Sequence, residues 1–270
     1  MDLSNFWFAV LLTSIAGLST GIGSIISVFA DRTNTKYLSL SLGFSAGVMV
    51  YVSFVELFMQ GREMLMTNLG AKTGNWITVA AFFAGFGMVA IIDKLVPDYE
   101  NPHEMHKVEE IDNKAKARDF NKLYRVGVLT ALAIGIHNFP EGLVTFFGTL
   151  SDVKLGMVLA FAIAIHNIPE GIAVAIPVYY STGSRKKTFI YSFLSGLAEP
   201  IGGVVGYLVL MPFINQTVIG VVFALVAGIM VFISLDSLLP SAEKYGNHHL
   251  SIWGMVAGMI LMAVSLLLFQ

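Results

Sequence analysis

Apolar residues gather into eight runs, near 4–30, 37–60, 75–96, 124–150, 153–180, 188–211, 217–240 and 250–269, with shorter polar stretches between them. A helix rises about 1.5 Å per residue, so about 20 apolar residues cross the roughly 30 Å of hydrocarbon in a bilayer. The pattern predicts an all-α, polytopic membrane protein of about eight transmembrane helices, forming one transmembrane domain over 1–270. The longest polar interruption is 97–123, PDYENPHEMHKVEEIDNKAKARDFNKL. It mixes charges and is poor in large apolar residues, so it reads as a flexible loop with three runs before it and five after. Its His103, Glu104, His106, Glu109 and Glu110, like His248 and His249 in a later connection, could bind a metal weakly but read foremost as solvated polar residues.

Composition sharpens this picture. The chain is 56% hydrophobic and 13% charged, a balance that fits a lipid solvent better than water. A net charge of −2 gives no footing for nucleic acid. With no cysteine, disulfides, thiolate metal sites and cysteine nucleophiles are excluded. The first basic residue is Arg32, so no positive segment precedes the first run and that run is expected to stay as a helix rather than be cleaved. Thirteen of the sixteen lysines and arginines fall in the connections after the first, third, fifth and seventh runs; only Arg62, Lys72 and Lys154 lie on the other side. The positive-inside rule then puts 97–123 in the cytoplasm and both termini outside it.

Two segments break the apolar pattern in the same way: HNFPEG at 137–142 and HNIPEG at 166–171, in the fourth and fifth runs. Positions four apart share a helix face, so His137 points with Glu141 and His166 with Glu170, while Asn138 shares the edge of Glu141. Pro140 offers no N–H to the Ile136 carbonyl and Pro169 none to that of Ile165, leaving acceptors for water, a side chain or an ion. Pro200, directly after Glu199, does the same for the Gly196 carbonyl. Glu56, Glu141, Glu170, Glu199 and Asp236 all lie in apolar runs, and each ionised carboxylate at the bilayer centre costs about 2.5–3.5 kcal/mol. These groups are therefore expected to face one another, water or a cation. Two other readings of these carboxylates stand beside that one: acids held protonated, or hydrogen-bonded pairs that only fix helix register, with more weight for Glu56 and Asp236 than for Glu141 and Glu170.

Imidazole nitrogen with carboxylate and amide oxygen suits Zn²⁺, Fe²⁺, Mn²⁺, Co²⁺ or Ni²⁺, and suits Cu⁺ poorly. Two His/Glu pairs could serve one ion; with the asparagines, Glu199 and Glu56 added, two adjacent ions become possible. A second repeat sets GVMVYVSFVEL, from Gly47, against GIMVFISLDSL, from Gly228, matching Ser53 with Ser234. The second and seventh runs point in opposite directions, as do the fourth and fifth, which is the signature of inverted repeats with a substrate site near mid-membrane. Spacings such as Gly17–Gly21, Gly43–Gly47 and Gly202–Gly206 read as close helix contacts.

At these residues the chain resembles the ZIP family of divalent metal transporters, closest to its bacterial ZupT branch. The likeness rests on the paired His-Asn-x-Pro-Glu-Gly motifs, the eight-helix profile, the outside termini and the polar loop after the third helix. It covers essentially the whole chain. It implies a 3+2+3 arrangement of helices with metal held between the fourth and fifth. By motif position the ligands fall on His137, Asn138, Glu141, His166, Asn167, Glu170 and Glu199, with Glu56 standing where several members carry a ligand. Some relatives have an acid where Asn167 stands, so the resemblance implies a tightly held second metal less firmly here. The loop lacks the dense histidine runs of many relatives. An elevator-like shift within a homodimer, in a plasma membrane such as the bacterial inner membrane, is also implied.

The expected function is uptake of a divalent transition metal into the cytosol by alternating access. Zinc is expected foremost, then iron, manganese, cobalt and cadmium. No enzymatic activity, nucleic-acid partner or cofactor beyond the transported ion is expected. Glu56 toward the outer half of its run and Asp236 toward the inner half of its own, with Ser53 and Ser234 beside them, are candidates for the two mouths of the path. An intramembrane metal-dependent hydrolase would need an open position on zinc and a glutamate base, but no HExxH occurs and a doubled motif would serve it little. A passive channel or a metal receptor is the other alternative, separable by flux.

Overall fold

A computed structural model describes residues 3–29, 35–95, 117–245 and 248–269 as eight helical runs. We number these α1 (Leu3–Phe29), α2 (Thr35–Val52, a π turn at Ser53–Leu57, then Phe58–Leu69), α3 (Ala71–Leu95) and α4 (Ala117–Ser151). There follow α5 (Val153–Thr182), α6 (Arg185–Gly196 and Ala198–Leu210, ending in a 3-10 turn at Met211–Phe213), α7 (Gln216–Ile233, a π turn at Ser234–Leu238, then Leu239–Tyr245) and α8 (His248–Phe269). No strand occurs among the described residues.

Polar chemistry at the run ends fixes where each helix starts and stops. Gly70, at φ 82°, turns the chain between α2 and α3, and Gly183, at φ 60°, ends α5; both conformations suit glycine because no Cβ resists them. The Asp152 carboxylate caps α5, accepting from the N–H groups of Lys154 at 2.6 Å and Leu155 at 3.2 Å. Asp152→Ala removes the acceptor for those two orphan donors and is expected to cost about 1 kcal/mol, while Asp152→Asn keeps most of it. Thermal midpoints of the three purified proteins in one detergent check this.

Several helices run further than hydropathy alone predicts. α2 continues to Leu69 and α7 to Tyr245. Charged groups such as Arg62, Glu63 and Glu243 sit on these extensions, and a helix that has left the hydrocarbon carries charge at little cost. Residues 117–123, at the end of the expected loop, are helical and form the first turns of α4, while 97–116, with His103, Glu104, His106, Glu109 and Glu110, lie outside the described residues. His248 and His249 open α8, and His248 Nδ1 lies 2.6 Å from Glu243 Oε1.

Packing follows an internal two-fold. α2 lies along α8 and α7 along α3; α1 lies along α5 and α6 along α4; α4 and α5 pack on each other. Exchanging α1 with α6, α2 with α7, α3 with α8 and α4 with α5 maps each contact onto another. The two π turns coincide in the repeat: Ser53–Leu57 and Ser234–Leu238 occupy matching positions. Its leading glycines also match, since a Cβ on Gly47 would lie 2.0 Å from the Met255 carbonyl oxygen and one on Gly228 1.9 Å from that of Phe82.

Among the described residues, seven of the eight runs are long and apolar enough to cross a membrane. Large apolar side chains such as Phe83, Leu132, Leu208 and Leu267 face outward, whereas hydroxyl groups of Thr13, Ser24, Thr78 and Ser265 are buried. That distribution is the reverse of a water-soluble bundle and fits lipid around the outside. Trp7, Trp76 and Trp253, each near the start of its helix, are about two-thirds exposed, as interfacial anchors are. The chain is a multi-pass membrane protein.

Candidate functional site

Proline and glycine shape the helix turns that carry the two repeated motifs. Pro140 stands within continuous α4 and Pro169 within continuous α5, each followed two residues later by glycine. A Cβ on Gly142 would lie 1.9 Å from the Glu199 carbonyl oxygen, and one on Gly171 1.9 Å from that of Thr20. The backbones of α6 and α1 therefore press directly onto the motif turns. α6 itself breaks at Leu197, two residues before Glu199. The Gly196 carbonyl, which Pro200 cannot serve, sits against Gly17 of α1, 2.2 Å from where a Cβ there would stand.

Six of the seven motif-derived polar residues are buried: Asn138, His166, Asn167 and Glu199 have no exposed surface, and Glu141 and Glu170 almost none. The seventh, His137, lies on α4 one turn before Glu141, and its side chain falls outside the described residues. His166 Nε2 lies 3.2 Å from Glu141 Oε1, a contact from α5 across to α4 that joins the imidazole of one motif to the carboxylate of the other. Asn167 Nδ2 donates to the Ala16 carbonyl at 3.0 Å and to Glu199 Oε1. Asn138 Nδ2 donates to the Ser195 carbonyl at 3.2 Å, and Ser45 Oγ donates to the His166 carbonyl at 3.3 Å. α1, α2, α4, α5 and α6 thus meet at one polar centre.

Each asparagine spends its N–H groups on neighbouring acceptors, and its Oδ1 is buried without a hydrogen-bond partner among the described residues. An amide oxygen in that state is a strong acceptor awaiting a donor or a cation. Among the described residues no three His, Asp or Glu side chains gather closely enough to hold a metal by themselves. The donor set is therefore mixed: imidazole nitrogen, carboxylate oxygen and amide oxygen.

Glu56 and Asp236 stand elsewhere. Glu56, in the π turn of α2, accepts from Gln60 Nε2 at 3.4 Å and lines a cavity of about 450 Å³ with Gln60, Ser151, Asp152, Lys154 and Gln216. Asp236, in the π turn of α7, is exposed, whereas Ser53 and Ser234 are fully buried. Ser234 Oγ donates to the Met230 carbonyl at 2.7 Å.

Sequence reading missed Ala16, Thr20, Ser45 and Ser195. Two of them serve only through backbone carbonyls, which residue type does not reveal. A signal does exist: GLSTGIG at 17–23 and GLAEPIG at 196–202 share the form GLxxxIG and follow Ala16 and Ser195 directly.

Comparison with known proteins agrees with this architecture. A family model described as ZIP Zinc transporter matches residues 94–266. The chain is 61% identical to a protein named Zinc transporter ZupT from Nitratidesulfovibrio vulgaris, covering 100% of this chain and 99% of the relative. Proteins of the same name from Clostridium perfringens and Streptococcus mutans are 55% and 58% identical, with at least 98% of each chain covered.

Proposed function

Because the chain belongs to the ZIP zinc transporter family, and so among transporters rather than enzymes, we propose that it carries divalent transition metal ions across the membrane, zinc foremost, by alternating access. The relatives named above are called zinc transporters, which supports zinc as a substrate here. The observation that carries the reading is the buried contact of His166 with Glu141 across α4 and α5. An imidazole and a carboxylate, one from each motif and both buried, form the start of a coordination shell, which a metal binds with the imidazole neutral and the carboxylate ionised. Glu170 and Glu199, the oxygens of Asn138 and Asn167, and His137 complete the ligands available to an ion. Thiolate is absent, so the ion is held by ligands weak enough to release it.

Direction follows from charge: the basic connections face the cytosol and both termini face away from it. Glu56, in its polar cavity with Asp152, lies on the same side as the short α4–α5 and α6–α7 connections, which makes that cavity the outer mouth. Asp236 stands in the matching π turn toward the inner side. π turns interrupt regular hydrogen bonding and recur where helices serve function. We place the protein, as a homodimer, in a bacterial cytoplasmic membrane.

Uptake of Zn²⁺ into proteoliposomes holding the purified chain tests this, with Fe²⁺, Mn²⁺ and Cd²⁺ as competitors. The expected result is uptake that saturates with metal and falls with each effective competitor. Flux rising linearly with concentration would instead indicate a channel, and binding without flux a receptor.

A further inference from the structure

Thr20 stands where the internal two-fold calls for a second Glu199. The register is fixed by backbone contacts. Gly142 meets the Glu199 carbonyl and Gly171 meets that of Thr20. Gly202 meets the Phe139 carbonyl and Gly23 that of Ile168, at 2.2 and 2.0 Å from the respective Cβ positions. Gly17 and Gly196 meet each other's carbonyls at 2.2 and 2.1 Å, so they flank the axis itself. The asparagines obey the same exchange: Asn167 donates to Ala16, just before Gly17, and Asn138 to Ser195, just before Gly196. By the same exchange, the counterpart of the Asn167–Glu199 contact is Asn138 with Thr20.

Chemistry breaks this symmetry. Glu199 and Thr20 are both fully buried, but one brings a carboxylate and the other a hydroxyl. On the α6 flank, Asn167 donates to Glu199 Oε1. On the α1 flank, a Cβ on Gly196 would lie 3.1 Å from Thr20 Oγ1, so the hydroxyl faces the same turn of α6 that holds Asn138. Thr20 Oγ1 and Asn138 Oδ1 are both buried with no hydrogen-bond partner among the described residues. A buried oxygen without a partner is costly, and both stand against the same Ser195–Gly196 turn of α6.

Resting on the metal-binding reading above, we infer that Thr20 and Asn138 form a second, uncharged ligand position, the counterpart of Asn167 and Glu199. The Glu199 carboxylate then draws the bound cation toward the α6 flank, and the neutral hydroxyl at Thr20 ligates more weakly and limits the charge the site presents. A carboxylate at residue 20 would enter a backbone frame already built to hold one.

The test moves the carboxylate across the axis. Zn²⁺ binding to purified protein is measured by calorimetry for wild type, Glu199→Thr, Thr20→Glu and the double swap, with thermal midpoints to verify folding. Glu199→Thr is expected to weaken binding by more than about tenfold, on the scale of lost metal-site contacts. The double swap is expected to recover to within about threefold of wild type, and Thr20→Glu alone to bind more tightly. A folded double swap as weak as Glu199→Thr would overturn the inference. Thr20→Val keeps the shape, removes the oxygen and does not depend on accommodating a longer side chain. It is expected to weaken Zn²⁺ binding by about threefold or more, and wild-type affinity in that variant would overturn the inference equally. Absence of Zn²⁺ binding by wild type would instead sink the metal-binding reading itself.

Discussion

Replacing Glu141 by glutamine should abolish saturable zinc uptake while making the metal-free protein more stable. The two effects have one cause. Glu141 is almost fully buried and meets His166 Nε2 at 3.2 Å. Holding an ionised carboxylate in the bilayer interior costs about 2.5–3.5 kcal/mol, which its partners offset only in part, and the neutral amide does not incur it. Glutamine keeps the length of the side chain and an oxygen and N–H group for His166, so no buried imidazole nitrogen is stranded. Bound metal reverses the sign. A metal ligand's supporting partners alone are worth about 10–100-fold in affinity, and a directly coordinating charge exceeds that. Zinc at 100 times its dissociation constant raises wild-type stability by about 2.7 kcal/mol through mass action, and this increment should vanish in the variant. Thermal midpoints with and without zinc, set beside proteoliposome uptake, read both signs. A variant that is less stable without metal and still gains stability from zinc would show Glu141 to be a packing residue.

The cluster to which Glu141 belongs was legible in the sequence because its chemistry is written in residue type: histidine, asparagine and glutamate twice over in apolar surroundings. Its wiring was not. Helical spacing pairs His166 with Glu170, but how closely α4 and α5 approach depends on the glycines and on the backbones pressing against them. So the reach of His166 to Glu141 emerges only in three dimensions. The repeat across α2 and α7 was visible through Ser53 and Ser234, whereas the π turns at those residues leave no mark in hydropathy. The companion repeat in α1 and α6 was harder to see. It shares only two glycines, a leucine and an isoleucine, and Thr20 stands in one copy where Glu199 stands in the other. Helix ends ran past the apolar runs for a related reason: hydropathy reports the lipid boundary, and hydrogen bonding continues beyond it.

Substituting Gly228 by leucine should prevent accumulation of folded protein, although the change adds apolar surface to an apolar helix. A Cβ there would lie 1.9 Å from the Phe82 carbonyl oxygen, 2.8 Å from its carbon and 3.0 Å from the Phe86 nitrogen. These are backbone atoms of α3 with no rotamer to yield. Close Cα–H···O contacts sit near 3.3 Å, so α3 and α7 would have to separate by roughly 1.4 Å along a seam held by packing alone. In lipid no hydrophobic force offsets that loss, and overpacking of this kind exceeds the usual cost of about 1–3 kcal/mol. Gly87, one helical turn from Phe83 on the same α3, supplies the control, because a Cβ there meets nothing within 4 Å. Gly87→Ala should be neutral or stabilise by up to about 1 kcal/mol, the ordinary helix preference for alanine. Monodisperse yield in detergent and thermal midpoint distinguish the two. If the leucine variant folded as well as the alanine one, the seam between α3 and α7 would not be the close backbone contact that fixes this half of the two-fold.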